Sequence, residues 1–232
     1  SLLLVAVASS TFTPSADAQL DESGKVIYER EPFDRLVTHG GRVYEILPLP
    51  ADVLVGRQVP TNPPPNRSLR IRLKKDPAKQ FGILWKRIKL LETFEMMILR
   101  RAVEKIEQAK KLNRADPQKL ALFDAAYYYF AHLKQKYPKY PPKGMETEYQ
   151  RYLYFNAQAL HDQKQTLRAF AIYEELYRRN QEYTTKKGGP NEIIPAINQI
   201  VGGLAQGFIT KKQFGQARDY ISNVRKTYGK KL

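Results

Sequence analysis

Apolar and polar residues follow a two-residue period early in the chain and a helical period from residue 94 onward. Asp34-Arg35-Leu36-Val37-Thr38 and Arg42-Val43-Tyr44-Glu45-Ile46-Leu47 are short apolar-rich runs on either side of His39-Gly40-Gly41. Two such runs around a Gly-Gly signal predict a β-hairpin. The four prolines between Gly56 and Asn66 exclude helix and central strand there. Leu69-Arg70-Ile71-Arg72-Leu73 alternates apolar with basic, as a half-buried strand does. Asp76-Pro77 opens a turn, Phe81-Gly82-Ile83-Leu84-Trp85 predicts a fourth strand and Ile88-Lys89-Leu90-Leu91 a fifth. From there Phe94, Met97, Ile98, Ala102 and Ile106 keep the i, i+3/i+4 spacing of an amphipathic helix. Asn113-Arg114-Ala115-Asp116-Pro117 ends that helix, with Asp116 placed to cap the next and Pro117 at its first position.

The expected fold class is therefore α+β. Residues 19–32 read as a polar, extended segment. Residues 33–92 hold five short antiparallel strands, which suit a small SH3-like or Sm-like β-barrel. Residues 93–232 read as α-helical hairpins.

The helical half repeats. Asn156-Ala157-Gln158-Ala159-Leu160 and Leu204-Ala205-Gln206-Gly207-Phe208 lie 48 residues apart. At the same offset Leu153 meets Val201, Ala169 meets Ala217, Tyr173 meets Ile221 and Leu176 meets Val224. An earlier partial copy, Ala126, Phe130 and Leu133, precedes Ala169, Tyr173 and Leu176 by 43 residues. Small residues at Ala157 and Ala205 let a second helix approach, and larger ones a turn later fill the space. Each hairpin then leaves an apolar face that only a neighbour can cover. At these residues the chain resembles the tetratricopeptide (TPR) family over roughly residues 94–228, although its spacing exceeds the family's usual ~34 residues. The alternative is an ordinary helical bundle. The TPR resemblance implies a concave surface lined by Arg151, Tyr154, Gln158 and His161, then Gln199, Gln206 and Thr210, which would contact an extended peptide or partner helix.

A second resemblance rests on Leu84-Trp85-Lys86-Arg87-Ile88, Phe94-Glu95-Met96-Met97, the run Phe123 to Phe130 and Tyr137-Pro138. These are similar to the N-terminal region that precedes the solute-binding domain in some large bacterial peptide ABC-transporter binding proteins. It implies an accessory role in such a transporter, as a fragment or a stand-alone version of that region.

Charge changes the picture next. The chain carries 39 Lys and Arg against 23 Asp and Glu, a formal charge of +16. Fifteen of the cations fall between Arg67 and Arg114. Arg70 and Arg72 share a strand face because side chains alternate. With Lys74, Lys86 and Arg87 they form a candidate surface for an anionic partner; the alternative is a solvated basic surface. Nucleic acid would suit such a face, but Leu2-Leu3-Leu4-Val5-Ala6-Val7-Ala8 followed by Ala16-Asp17-Ala18 has the form of a signal peptide's apolar run and cleavage site. With residues 1–18 as a signal remnant, the expected location is the periplasm or cell envelope. A nucleic-acid-binding β-domain is the second reading.

Candidate chemistry adds little. There is no cysteine, which removes disulfides, thiolate catalysis and cysteine-bound zinc. His39, His132 and His161 share no metal-ligand spacing. No P-loop, dinucleotide fingerprint or G-x-S-x-G elbow occurs. Lys186-Lys187-Gly188-Gly189-Pro190 forms an anion-binding nest or a plain linker. Of Tyr127-Tyr128-Tyr129-Phe130, all but one or two belong in the core. The expectation is a non-enzymatic protein- or peptide-binding or scaffolding module without cofactor or metal.

Overall fold

A computed structural model describes residues 26–54, 59–179 and 193–228. The expected signal remnant over residues 1–18 and the Lys186–Pro190 segment lie outside the described residues. The chain divides into two compact units between Ile98 and Leu99. The pattern change predicted that division at residue 92.

The first unit contains β1 (Asp34–Thr38), β2 (Val43–Ile46), β3 (Ser68–Arg72), β4 (Gln80–Leu84) and β5 (Ile88–Glu92). All pairings are antiparallel, in a three-stranded sheet β2-β1-β5 and a two-stranded sheet β3-β4. A bridge between Ile46 and Leu73 links the sheets. Five strands were expected and five are present among the described residues, but they do not close into a barrel. Closure needs a continuous ladder, and among the described residues β4 pairs with β3 and β5 with β1 but not β4 with β5; the chain passes from β4 to β5 through a 3-10 turn at Trp85–Arg87. Trp85, expected at the end of a strand, begins that turn and is buried in the core. A second 3-10 turn, Ile27–Glu29, occupies part of the segment expected to be extended.

Local chemistry explains the strands. Along β3, Leu69 and Ile71 are buried while Ser68, Arg70 and Arg72 are exposed, the period-two pattern of a one-sided sheet. The β1–β2 turn places Gly41 at φ +79°, a left-handed conformation that glycine adopts without steric cost. The core gathers Leu36, Ile46, Leu69, Ile71, Ile83, Trp85 and Leu91.

Helix α1 (Phe94–Lys111) begins within this first unit, which explains the displaced division. Phe94 packs on Phe33 with ring centroids 5.3 Å apart. The backbone N–H of Phe94 donates to Asp34 Oδ1 at 3.1 Å. Asp34 is fully buried, and its other carboxylate oxygen accepts the Leu49 N–H at 2.8 Å. A strand residue thus satisfies an orphan donor at a helix N-terminus, where negative charge is favoured. Thr93 adds a local cap, its hydroxyl accepting the Met96 N–H.

The second unit holds the rest of α1 together with α2 (Gln118–Lys136), α3 (Met145–Asp162), α4 (Thr166–Arg179), α5 (Ile193–Thr210) and α6 (Phe214–Tyr228). Asp116 Oδ1 accepts the Gln118 N–H at 2.9 Å and starts α2 as its sequence predicts. Contacts run α2 to α3, α3 to α4, α4 to α5 and α5 to α6. Ala157, Ala169 and Leu176 are buried, as are Ala205, Ala217 and Val224 one offset later. Of the aromatic run on α2, Tyr129 and Phe130 are buried and Tyr127 is exposed.

The 48-residue relation extends to the turns. Lys164 and Lys212 are the described non-glycine residues with positive φ, 63° and 61°. Gln165 N–H donates to the Leu160 carbonyl and Gln213 N–H to that of Phe208. Lys164 bonds to His161 and Lys212 to Ile209 in the same way. Both are Schellman closures with lysine in the left-handed position. The Lys-Gln pair that makes them is a repeat signal additional to the apolar positions.

Candidate binding pocket in the helical unit

The odd-numbered helices α1, α3 and α5 supply most of one pocket of about 380 Å³. Such a volume lies within the range of small-ligand and side-chain sites. Its apolar walls are Phe123 of α2, Phe155 of α3, Tyr173 of α4 and Ala196 of α5. Its polar groups are Gln158, His161 and Gln199, with Lys110, Arg114 and Lys119 against one carboxylate, Asp162.

Each cation is held differently. Lys110 Nζ lies 4.8 Å from the Phe155 ring centroid and 3.3 Å from Glu107. The aromatic face and the carboxylate fix its position. Lys119 Nζ donates to the Leu112 carbonyl at 3.4 Å, at the C-terminal end of α1. Arg114 is exposed, in the connection that follows α1, and brings a full guanidinium charge to the pocket edge. The Tyr173 hydroxyl is pushed above its ordinary value, by burial first and then by Tyr154 and Asp162. It stays a neutral donor.

Of the residues expected to face a ligand, Gln158 and His161 on α3 and Gln199 on α5 meet in this pocket. Tyr154 stands behind them, its hydroxyl oxygen accepting from Gln158 Nε2 at 2.8 Å. Arg151 is not part of the lining. It is half-buried and ion-paired to Glu107 of α1 and Glu148 of its own helix, so its charge ties helices together. Gln206 and Thr210 are exposed on α5 outside the pocket, and the Thr210 hydroxyl donates to the Gln206 carbonyl at 2.9 Å. The expectation missed Lys110, Arg114, Lys119 and Phe155. Only the four-residue spacing of Lys110 and Arg114 at a helix end hints at the first two.

In the β unit, Arg70 and Arg72 are exposed on one face of β3, and Lys86 and Arg87 are exposed in the turn after β4. Lys74 is already engaged. Its Nζ donates to the Glu31 carbonyl at 3.3 Å and lies 4.9 Å from the Phe33 ring centroid. Arg30 covers the same ring and pairs with Glu45.

Among the described residues no three His, Asp or Glu side chains cluster as metal ligands would. No described helix is long and apolar enough to cross a membrane. Comparison with family models, with curated proteins and with solved structures returns no match.

Proposed function

We propose that the chain is an exported, non-enzymatic binding module whose helical half is a TPR-like hairpin stack, and that its pocket takes an acidic, extended segment of a protein or peptide partner. One observation carries this reading. Gln158 and His161 from one hairpin and Gln199 from the next line a single pocket with three cations. The repeated turns at Lys164 and Lys212 support the stack. In the β unit, counting the Ile46–Leu73 bridge gives the strand order β5-β1-β2-β3-β4, which supports an opened SH3-like arrangement.

In this mechanism Lys110, Arg114 and Lys119 draw in a carboxylate-bearing segment. Phe155 covers its apolar atoms, and the amides of Gln158 and Gln199 bond its backbone, since each amide both donates and accepts. The test is calorimetry with a Glu-containing extended peptide and its Gln- and Lys-substituted forms. The Glu form should bind best and weaken with salt. Arg114→Glu should abolish the preference, and equal binding of all three forms would reject the assignment. The resemblance to peptide-transporter binding proteins makes accessory peptide capture part of the proposal. A coding sequence running past Leu232 into a solute-binding domain would favour it, and a stop there would count against it.

Nucleic-acid binding through β3 is the second reading, favoured by the paired exposure of Arg70 and Arg72. Recovery of uncleaved protein in the cytoplasmic fraction would favour it over export.

A further inference from the structure

The last hairpin carries an open groove of about 700 Å³ against α6. Its apolar floor is Ile209, Phe214 and Ile221, and its rim is Arg218, Arg225 and Lys226. Phe214 is 63% and Ile209 40% exposed, so the groove presents apolar side chains to solvent.

The internal repeat identifies what fits there. Ile209 and Ile221 stand 48 residues after His161 and Tyr173. Those two residues line the first pocket, whose far wall is Ala196 and Gln199 of α5. The groove is thus the seat that α5 occupies one hairpin earlier. The seat has also changed character. Where α4 carries Phe170 and Tyr177, α6 carries Arg218 and Arg225. A helix seated here meets the apolar Ile209, Phe214 and Ile221, but it also meets the guanidinium groups of Arg218 and Arg225. Another apolar repeat of the α5 type would desolvate them without a partner, which is costly.

We propose that this groove docks an amphipathic helix of a separate protein, with an aliphatic stripe flanked by Asp or Glu. A second copy of this chain fits less well. A two-fold pairing of the groove with itself would set the three cations against their own kind. The exposed large apolar residues on the described helices (Tyr127, Leu167, Ile209 and Phe214) form no aliphatic stripe outside the groove.

The probes are two synthetic helices of 18 residues, the length of α5, with the same Ile/Leu stripe and either Glu or Lys flanks. Fluorescence anisotropy with the whole chain should show saturable binding of the Glu helix and binding about tenfold weaker for the Lys helix. Exchanging both rim charges, Arg218→Glu with Arg225→Glu, should invert that preference. Phe214→Ser should weaken both. All three positions are exposed, and circular dichroism checks that the helices persist. Arg114→Glu, at the first pocket, should leave this binding unchanged. The proposal is overturned if neither helix saturates, if charge exchange leaves the preference intact, or if Arg114→Glu removes the binding instead. It is also overturned by concentration-dependent self-association that Phe214→Ser abolishes, which would assign the groove to a second copy.

Discussion

Replacing Asp34 by alanine removes the acceptor for two buried backbone donors, the N–H groups of Leu49 and Phe94. The carboxylate is fully buried, so the vacated space is bordered by core rather than by bulk water. Each buried donor left unsatisfied costs about 1–3 kcal/mol, which sums to roughly 2–6 kcal/mol for the pair. A further few tenths are lost because the charge sits at the N-terminus of α1. Small domains are stable by only about 5–15 kcal/mol, so the first unit should be close to unfolding. Asp34→Asn keeps one acceptor and turns an amide N–H₂ towards the other donor, and should cost about half as much. The chain has one tryptophan, Trp85, in the core of this unit, whereas α2–α6 lie in the other. Urea unfolding followed by tryptophan fluorescence reports the first unit, and far-ultraviolet circular dichroism mainly the second. The fluorescence midpoint should fall steeply in Asp34→Ala and by an intermediate amount in Asp34→Asn. A loss below about 1 kcal/mol in the alanine variant would refute the reasoning, because unsatisfied buried donors cannot be that cheap.

Three other perturbations follow from the helical unit. Lys164→Gly and Lys212→Gly relieve a left-handed backbone at exposed positions and should each raise stability by about 0.5–1 kcal/mol; alanine at either site should give no gain in the same thermal melts. The Tyr220 hydroxyl is buried without a hydrogen-bond partner, so Tyr220→Phe should be neutral or stabilising by up to about 1 kcal/mol, and a loss above that would contradict the assignment. Burial, and then Lys136, hold the His132 imidazole below its ordinary value of 6.5. Between that value and its lower folded-state pKa the unfolded chain binds more protons, so stability falls as pH drops through this window. His132→Gln should flatten that part of the stability–pH profile, and an unchanged slope would exclude His132 as its source.

Local periodicity determined much of this protein. The alternation in Leu69 to Leu73 placed β3 and its buried face, and Gly40-Gly41 placed the first hairpin. Asp116-Pro117 marked the start of α2, and the 48-residue offset paired α3/α4 with α5/α6. These are properties of residues a few positions apart, or of one pattern repeated, and a linear sequence carries them directly. Tertiary structure alone decided which distant side chains meet. Asp34 reads as a polar strand residue, yet folding buries it against backbone donors 15 and 60 positions away. Arg151 reads as a ligand contact, but Glu107, 44 positions earlier, claims its charge. Lys110, Arg114 and Lys119 look like solvated cations until packing brings them beside Gln158, His161 and Gln199. The strands were legible, but their failure to close was not, because closure depends on whether β4 and β5 pair, and they lie in different sheets. Spacing specifies which face of an element is apolar, and only the packing of those faces specifies which polar groups end up together.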